Sequence, residues 1–298
     1  MSAAPAASLW IGPSGWSYPD WRGIVYPPTV PRGFKSLAYI ARYFDAVEVN
    51  STFYRLPTAS AAAGWVTQVP ADFRFAVKLT QVFTHTRAKY PDEGTVRAFC
   101  EGVAPLREAG KLGPLLIQFP WSFRYAEIAV DWLRRLADSF PQFERFIEVR
   151  HASWARPEAL EALQRCGGYC NIDQPVLRSC LGPTQHVFGS DGYVRLHGRN
   201  AQHWFAENAE AFERYNYLYS DDEIREWVRR LNEMVKQARG VYVFANNHYR
   251  GQGPVNALEL KALLTGTPVD VPPDLLAAYP RLGGIAKPAP PQTLFDVT

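Results

Sequence analysis

Phe143-Glu-Arg-Phe-Ile-Glu-Val-Arg150 is a short apolar run that ends in charge, and seven other stretches repeat its layout. They are LWIGPS (9–14), AVEVN (46–50), FRFAVK (73–78), PLLIQ (114–118), GYCNID (168–173), YVRLH (193–197) and VYVFANN (241–247). Each has the length of a strand and closes on a polar or charged side chain. Helix-length segments separate most of them: 34–44, 58–69, 95–109, 126–140, 157–165, 221–238 and 256–264. In 221–238, Ile224, Trp227, Val228, Leu231, Val235 and Ala238 form one apolar stripe, and Ser220 with Glu223 makes a capping box. Eight strands alternating with helices predict an α/β protein, a (β/α)8 TIM-type barrel with its functional groups at the carboxyl ends of the strands.

The predicted organisation is a short extension (1–8), one barrel domain (9–266) and a Pro-rich tail (267–298) that wraps the surface or stays unstructured. Two connections stand out. The stretch 198–219 is long and aromatic, as lids and packed surface excursions both are. The stretch 174–190 is too broken by Pro175 and Pro183 for a long helix.

Composition narrows the function classes. Of 298 residues, 47% are hydrophobic and 20% charged, which excludes a disordered chain. The net charge of +3 is too small to argue for nucleic acid. Cys100, Cys166, Cys170 and Cys180 read as reduced, partly buried thiols, because no second pair stands at zinc-ribbon spacing. Residues 1–8 have no signal-peptide pattern, and no run approaches roughly 18 apolar residues. The expectation is a cytoplasmic protein of unknown oligomeric state with no membrane span.

Strand side chains alternate between faces, so parity sorts the polar groups. Glu48 shares a face with Asn50, Glu148 with Arg150, Arg195 with His197, Asn171 with Asp173, and Phe244 with Asn246. Lys78, Gln118 and Ser14 end their strands. If these faces point inward, the barrel top sets Lys78, Arg150, Arg195 and His197 against Glu48, Glu148 and Asp173. Buried charges cost several kcal/mol each unless paired. An internal ion-pair network or a working site would each account for them.

Longer motifs sharpen the reading: SGWSYPDWRG (14–23), EVNSTFYRLP (48–57), FRFAVK (73–78) followed by Thr84-His85, QFP (118–120), EVRHASW (148–154), VRLHGR (194–199), Tyr219-Ser220 and Asn246-Asn247. Taken in order they resemble the YecE-like family, a domain of unknown function (number 72 in that series), from about Leu9 to Leu264. The resemblance implies a TIM-barrel-like fold and no known reaction. The cleft residues it implies are Trp16, Tyr18, Glu48, Asn50, Tyr54, Lys78, His85, Glu148, Arg150, His151, Arg195, His197 and Asn246. The chain departs from the family at Pro13, where Thr is usual, at Trp121, where a second Pro is usual, and at Ala245, where an aromatic is usual.

The chemistry this set best suits is metal-independent acid/base catalysis on a small anionic metabolite. Arg150 and Arg195 would clamp a carboxylate or phosphate. Glu48 or Glu148 would serve as base and His197 or Lys78 as acid, with Trp16, Tyr18 and Tyr54 stacking on the substrate. Lys78 could instead form a Schiff base if neighbouring arginines lower its pKa. Glycoside hydrolysis by Glu48 and Glu148 is a weaker fit. Two alternatives are kept. One is a divalent-metal barrel of the sugar-isomerase or endonuclease kind, which three cations in the cluster disfavour. The other is a non-catalytic module binding nucleic acid or another ligand. No metal ligands or cofactor are assigned; no dinucleotide-binding glycine motif follows a strand. RGQGP (250–254) reads as a phosphate cradle or a simple loop.

Overall fold

In the computed structural model, which describes residues 7–87, 90–177, 179–206 and 210–288, eight parallel strands form one sheet in the order β1-β8-β7-β6-β5-β4-β3-β2. They are β1 Ser8–Pro13, β2 Ala46–Val49, β3 Arg74–Lys78, β4 Leu112–Gln118, β5 Arg145–Glu148, β6 Gly168–Asp173, β7 Asp191–Leu196 and β8 Gly240–Ala245. The seam between β1 and β2 nearly closes the barrel. Asp45 N donates to Ile11 O, and Gly15 N donates to Glu48 O. Glycine is required at position 12, where a Cβ would lie 1.8 Å from Ala46 O. The (β/α)8 expectation therefore holds, with strand boundaries moved by at most two residues and β6 unmoved.

The helices pack their apolar stripes on the outside of the sheet. Asp221–Val235 buries Ile224, Trp227, Leu231 and Met234, and its capping box forms with Ser220 and Glu223. Glu93–Glu108 starts two residues earlier than the pattern suggests, because Asp92 rather than a later residue accepts from Thr95 N. No helix among the described residues is long and apolar enough to cross a membrane. All four cysteines are free.

The barrel interior is layered. Its amino-terminal end is aromatic: Trp10 stacks on Tyr242 with centroids 4.4 Å apart, and Tyr193 packs on Phe146 and Phe244. Above Tyr193 on β7 stand Arg195 and then His197, so one strand passes from apolar filling to charge to the mouth. This is the vertical order in which a barrel positions a site on a packed floor.

One expectation needs correction. Asn171 and Asp173 point outward, not into the barrel. Asn171 binds the backbone of His186 and Tyr193, and Asp173 accepts from Arg199 and Trp227. Cys170 and Ile172 take the inner face of β6. In the 250–254 stretch Arg250 N donates to the Asp20 carboxylate at 2.5 Å, and a helix begins at Gln252. Residues 267–288 take the first of the two courses open to the tail and pack on the barrel: Leu275 and Leu282 are buried, and Arg281 pairs with Glu259 and Asp221. Residues 1–6 of the expected extension and 289–298 of the tail lie outside the described residues, and Ser8 already belongs to β1.

Candidate functional site

Three strand residues make a buried ionic core. Arg195, from β7, lies between Glu48 of β2 and Glu148 of β5, and all three are essentially removed from solvent. Arg195 Nη2 meets Glu48 Oε1 at 2.7 Å, and Nη1 meets Glu148 Oε2 at 2.5 Å. Desolvating three charges is tolerable only if their remaining hydrogen-bonding groups are also satisfied; the carboxylate oxygens are, while Arg195 Nε is buried without a partner among the described residues. Ser14 Oγ donates to Glu48 Oε1, and Tyr193 Oη donates to Glu48 Oε2 at 2.8 Å. Arg150 Nε donates to Glu148 Oε1 at 2.8 Å. Burial alone would raise the Glu148 carboxyl, but Arg195, Arg150 and His197 outweigh it and hold its pKa well below the usual range. Both carboxylates thus have every oxygen engaged.

His197 completes the arrangement as a neutral ring. Its Nδ1 lies 2.9 Å from Asn246 Nδ2, and Nε2 lies 3.2 Å from Glu148 Oε1 and 3.4 Å from Arg150 Nη2. The tautomer with Nδ1 accepting from the Asn246 amide and Nε2–H donating to Glu148 satisfies the two shorter contacts, and it is the one assigned. Burial, with Arg150 and Arg195 nearby, pushes the His197 pKa down to about 3 despite Glu148.

Lys78, at the end of β3, differs from the other charges. Its Nζ sits 3.9 Å from the Phe53 ring centroid and, among the described residues, makes no hydrogen bond or ion pair. Burial and the Arg195 charge outweigh the two carboxylates and lower its pKa to about 7. A primary amine near half-protonation at neutral pH can both give and take a proton.

Lys78 faces a cleft of about 430 Å³ at the carboxyl end of the barrel. Arg150, Arg195, Asn50 and Asn246 form the rest of its polar floor, and Trp16, Tyr18 and Tyr54 its walls. Tyr18 Oη donates to Ser14 O at 2.5 Å, which fixes the ring, and Tyr18 stacks on His248 with centroids 4.2 Å apart. Asn50 Nδ2 donates to Ser14 Oγ, whereas Asn50 Oδ1 is buried without a partner among the described residues. Eight of the predicted site residues therefore line one cleft, and Glu48, Glu148 and His197 lie beneath or beside it. His85 and His151 do not line it. His85, on the π-helical turn Val82–Thr86, packs against the Phe53 ring that Lys78 also covers, and burial with the Lys78 charge lowers its pKa to about 4. His151 caps the turn Ala152–Ala155 by accepting from Ser153 N.

Sequence reasoning missed Trp65, Tyr215 and His248, which also line the cleft. Tyr215 comes from the 198–219 connection, and Trp204 of the same stretch stacks over Arg150 at 5.6 Å. This connection contributes directly to the wall. Tyr193, the donor to Glu48, was legible from its parity with Arg195 and His197.

Known proteins agree with this architecture. The chain is 30% identical over 270 residues to the UPF0759 protein YunF of Bacillus subtilis (strain 168), spanning 86% of this chain and 94% of that protein. It is 33% identical over 159 residues to the UPF0759 protein YecE of Escherichia coli (strain K12), 53% of this chain and 54% of that one. The crystal structure of the DUF72 family protein TM1631 from Thermotoga maritima MSB8 superposes with a TM-score of 0.77 at 34% identity, covering 87% of this chain and 99% of that one. EF0366 from Enterococcus faecalis V583, also a DUF72 family protein, gives 0.75 at 27% identity, covering 86% and 95%. The family model described as "Protein of unknown function DUF72" matches residues 10–278, and the chain belongs to that family.

Proposed function

We propose that this protein is a metal-independent enzyme that performs acid/base chemistry on a small anionic metabolite, a carboxylate or a phosphate, in the cleft above the ionic core. The observation that carries the reading is Lys78: a cleft-facing amine with no protein acceptor among the described residues and a pKa near 7. Catalytic acids and bases work best when their pKa lies near the operating pH. Arg150 supplies the anion contact. Its Nε is held by Glu148, while its Nη1 makes no hydrogen bond among the described residues and the guanidinium lines the cleft. Glu48, Glu148 and Arg195 act as a fixed electrostatic base, and neutral His197 braces Glu148. Compared with the sequence-derived assignment, this moves the base from the glutamates to Lys78, which that assignment gave with His197 as a candidate acid. The metal alternative is weaker because a cation at Glu48 and Glu148 would have to displace Arg195 from both carboxylates.

A thermal-shift panel of phosphorylated and carboxylate metabolites tests the proposal. Stabilisation by at least one anion, lost in Arg150→Gln, is expected. Stabilisation by divalent metals and by no anion would refute it.

A further inference from the structure

We infer that Lys78 is a nucleophile, and that the substrate is a carbonyl compound held in the cleft as an imine on Lys78 Nζ. The inference rests on the anion-binding reading above and goes beyond it by naming the reacting group and the substrate's carbonyl.

Three observations point the same way. Lysines buried among charges normally pair with a carboxylate, and two carboxylates stand in this site. Yet Arg195, Arg150, Ser14, Tyr193 and His197 occupy them, and Lys78 Nζ has no ion pair among the described residues. Nζ lies instead over the Phe53 face at 3.9 Å and opens into the cleft. Burial, and after it the Arg195 charge, opposes its protonation and lowers its pKa to about 7, which leaves a large neutral fraction near that pH; only the neutral amine is nucleophilic. Arg150 then stands on the same floor to hold an anionic arm, and Trp16 and Tyr54 flank it to shield the adduct from water.

The chemistry balances without a co-reactant. The Nζ lone pair forms a bond to the carbonyl carbon as the C=O π pair moves to oxygen, which takes a proton. Nζ loses its own proton, the hydroxyl leaves as water after a second protonation from solvent, and a C=N bond results. Protonated, the imine is an electron sink. The pair of an adjacent C–H or C–C bond flows towards nitrogen to give an enamine, the released proton passing to solvent or the cleaved fragment leaving as a second carbonyl compound; the enamine then takes a proton at carbon from solvent, and water adds to the resulting iminium to release the product and restore the amine. Glu48 on β2 and Glu148 on β5 provide the negative field that tolerates the iminium charge, as they favour charge on Lys78 itself.

The test uses pyruvate and dihydroxyacetone phosphate with sodium borohydride at pH 7, and their alcohol counterparts lactate and glycerol 3-phosphate, which carry the same anions and no carbonyl. The expected result is a reduced adduct on Lys78 found by peptide mapping, at least tenfold above any other lysine. It should be suppressed by the matching alcohol and absent in Lys78→Arg, which keeps the charge. The probe that reacts decides between a carboxylate and a phosphate arm. If an alcohol stabilises the protein against heat and no carbonyl probe is trapped on Lys78, the imine is overturned and the anion site stands. If neither binding nor trapping occurs, both readings fall. An adduct spread evenly over surface lysines overturns the imine as well.

Discussion

Replacing Arg195 by Met removes the cation between Glu48 and Glu148 while keeping a side chain of similar length. Glu148 then retains Arg150 and His197, and Glu48 retains only the neutral donors Ser14 and Tyr193. Breaking a buried pair in this way costs about 3–5 kcal/mol. Unfolding entropy near 2.1 cal/mol/K per residue gives about 0.6 kcal/mol per degree for a chain this long, so Tm should fall by about 5–8 °C at pH 7. The pH dependence carries a second signature. In the wild type, Glu148 titrates below its unfolded value, so its contribution is present above that value and is lost as pH falls through the folded pKa. In Arg195→Met the Glu148 carboxyl loses the charge that lowers its pKa most, so the folded variant takes up that proton at higher pH than the wild type and its deficit shrinks on acidification from pH 7 to 4. Calorimetry at one scan rate, with near-ultraviolet circular dichroism to verify the fold, measures both. A loss under 2 °C, or one that is the same at both pH values, would refute the paired-core account.

Arg150→Gln should weaken binding of any cleft anion about 10–100-fold, the worth of a charge-assisted hydrogen bond; titration calorimetry checks this, and unchanged affinity would remove Arg150 from the clamp. Asp173→Asn should lower Tm by disrupting the contacts to Arg199 and Trp227 and leave anion binding intact, because Asp173 lies outside the barrel interior; impaired binding at full stability would place it back in the site. Lys78 binds fewer protons folded than unfolded between about pH 7 and its ordinary value of 10.5, so it contributes stability that rises with pH across that window. Lys78→Met should flatten that part of the stability profile, and an unchanged profile would contradict the lowered pKa.

The strand pattern was legible because each run ended on a polar residue at the same end of the barrel. Parity correctly grouped Glu48 with Asn50, Glu148 with Arg150, and Arg195 with His197. It failed on β6, where both faces are buried and alternation carries no direction: Cys170 and Ile172 fill the interior, while Asn171 and Asp173 hold loops and Arg199 outside. Which charges were free was not legible. Lys78, Glu48 and Glu148 look equally available in sequence, and only the reach of Arg195 across the barrel shows that the glutamates are occupied. Tyr215 and Trp65 enter the cleft from segments outside the strands, which no local pattern aims. His151 sits next to Arg150 in sequence, yet it serves a turn.

The most direct test of the central claim is a nuclear magnetic resonance titration of Lys78 in protein labelled with 15N-lysine, with Lys78→Met for assignment, with and without a stabilising anion. The account predicts a midpoint near 7 for the free protein and a higher one with the anion bound, because added negative charge favours the ammonium. A midpoint near the ordinary lysine value of 10.5 in the free protein would contradict it.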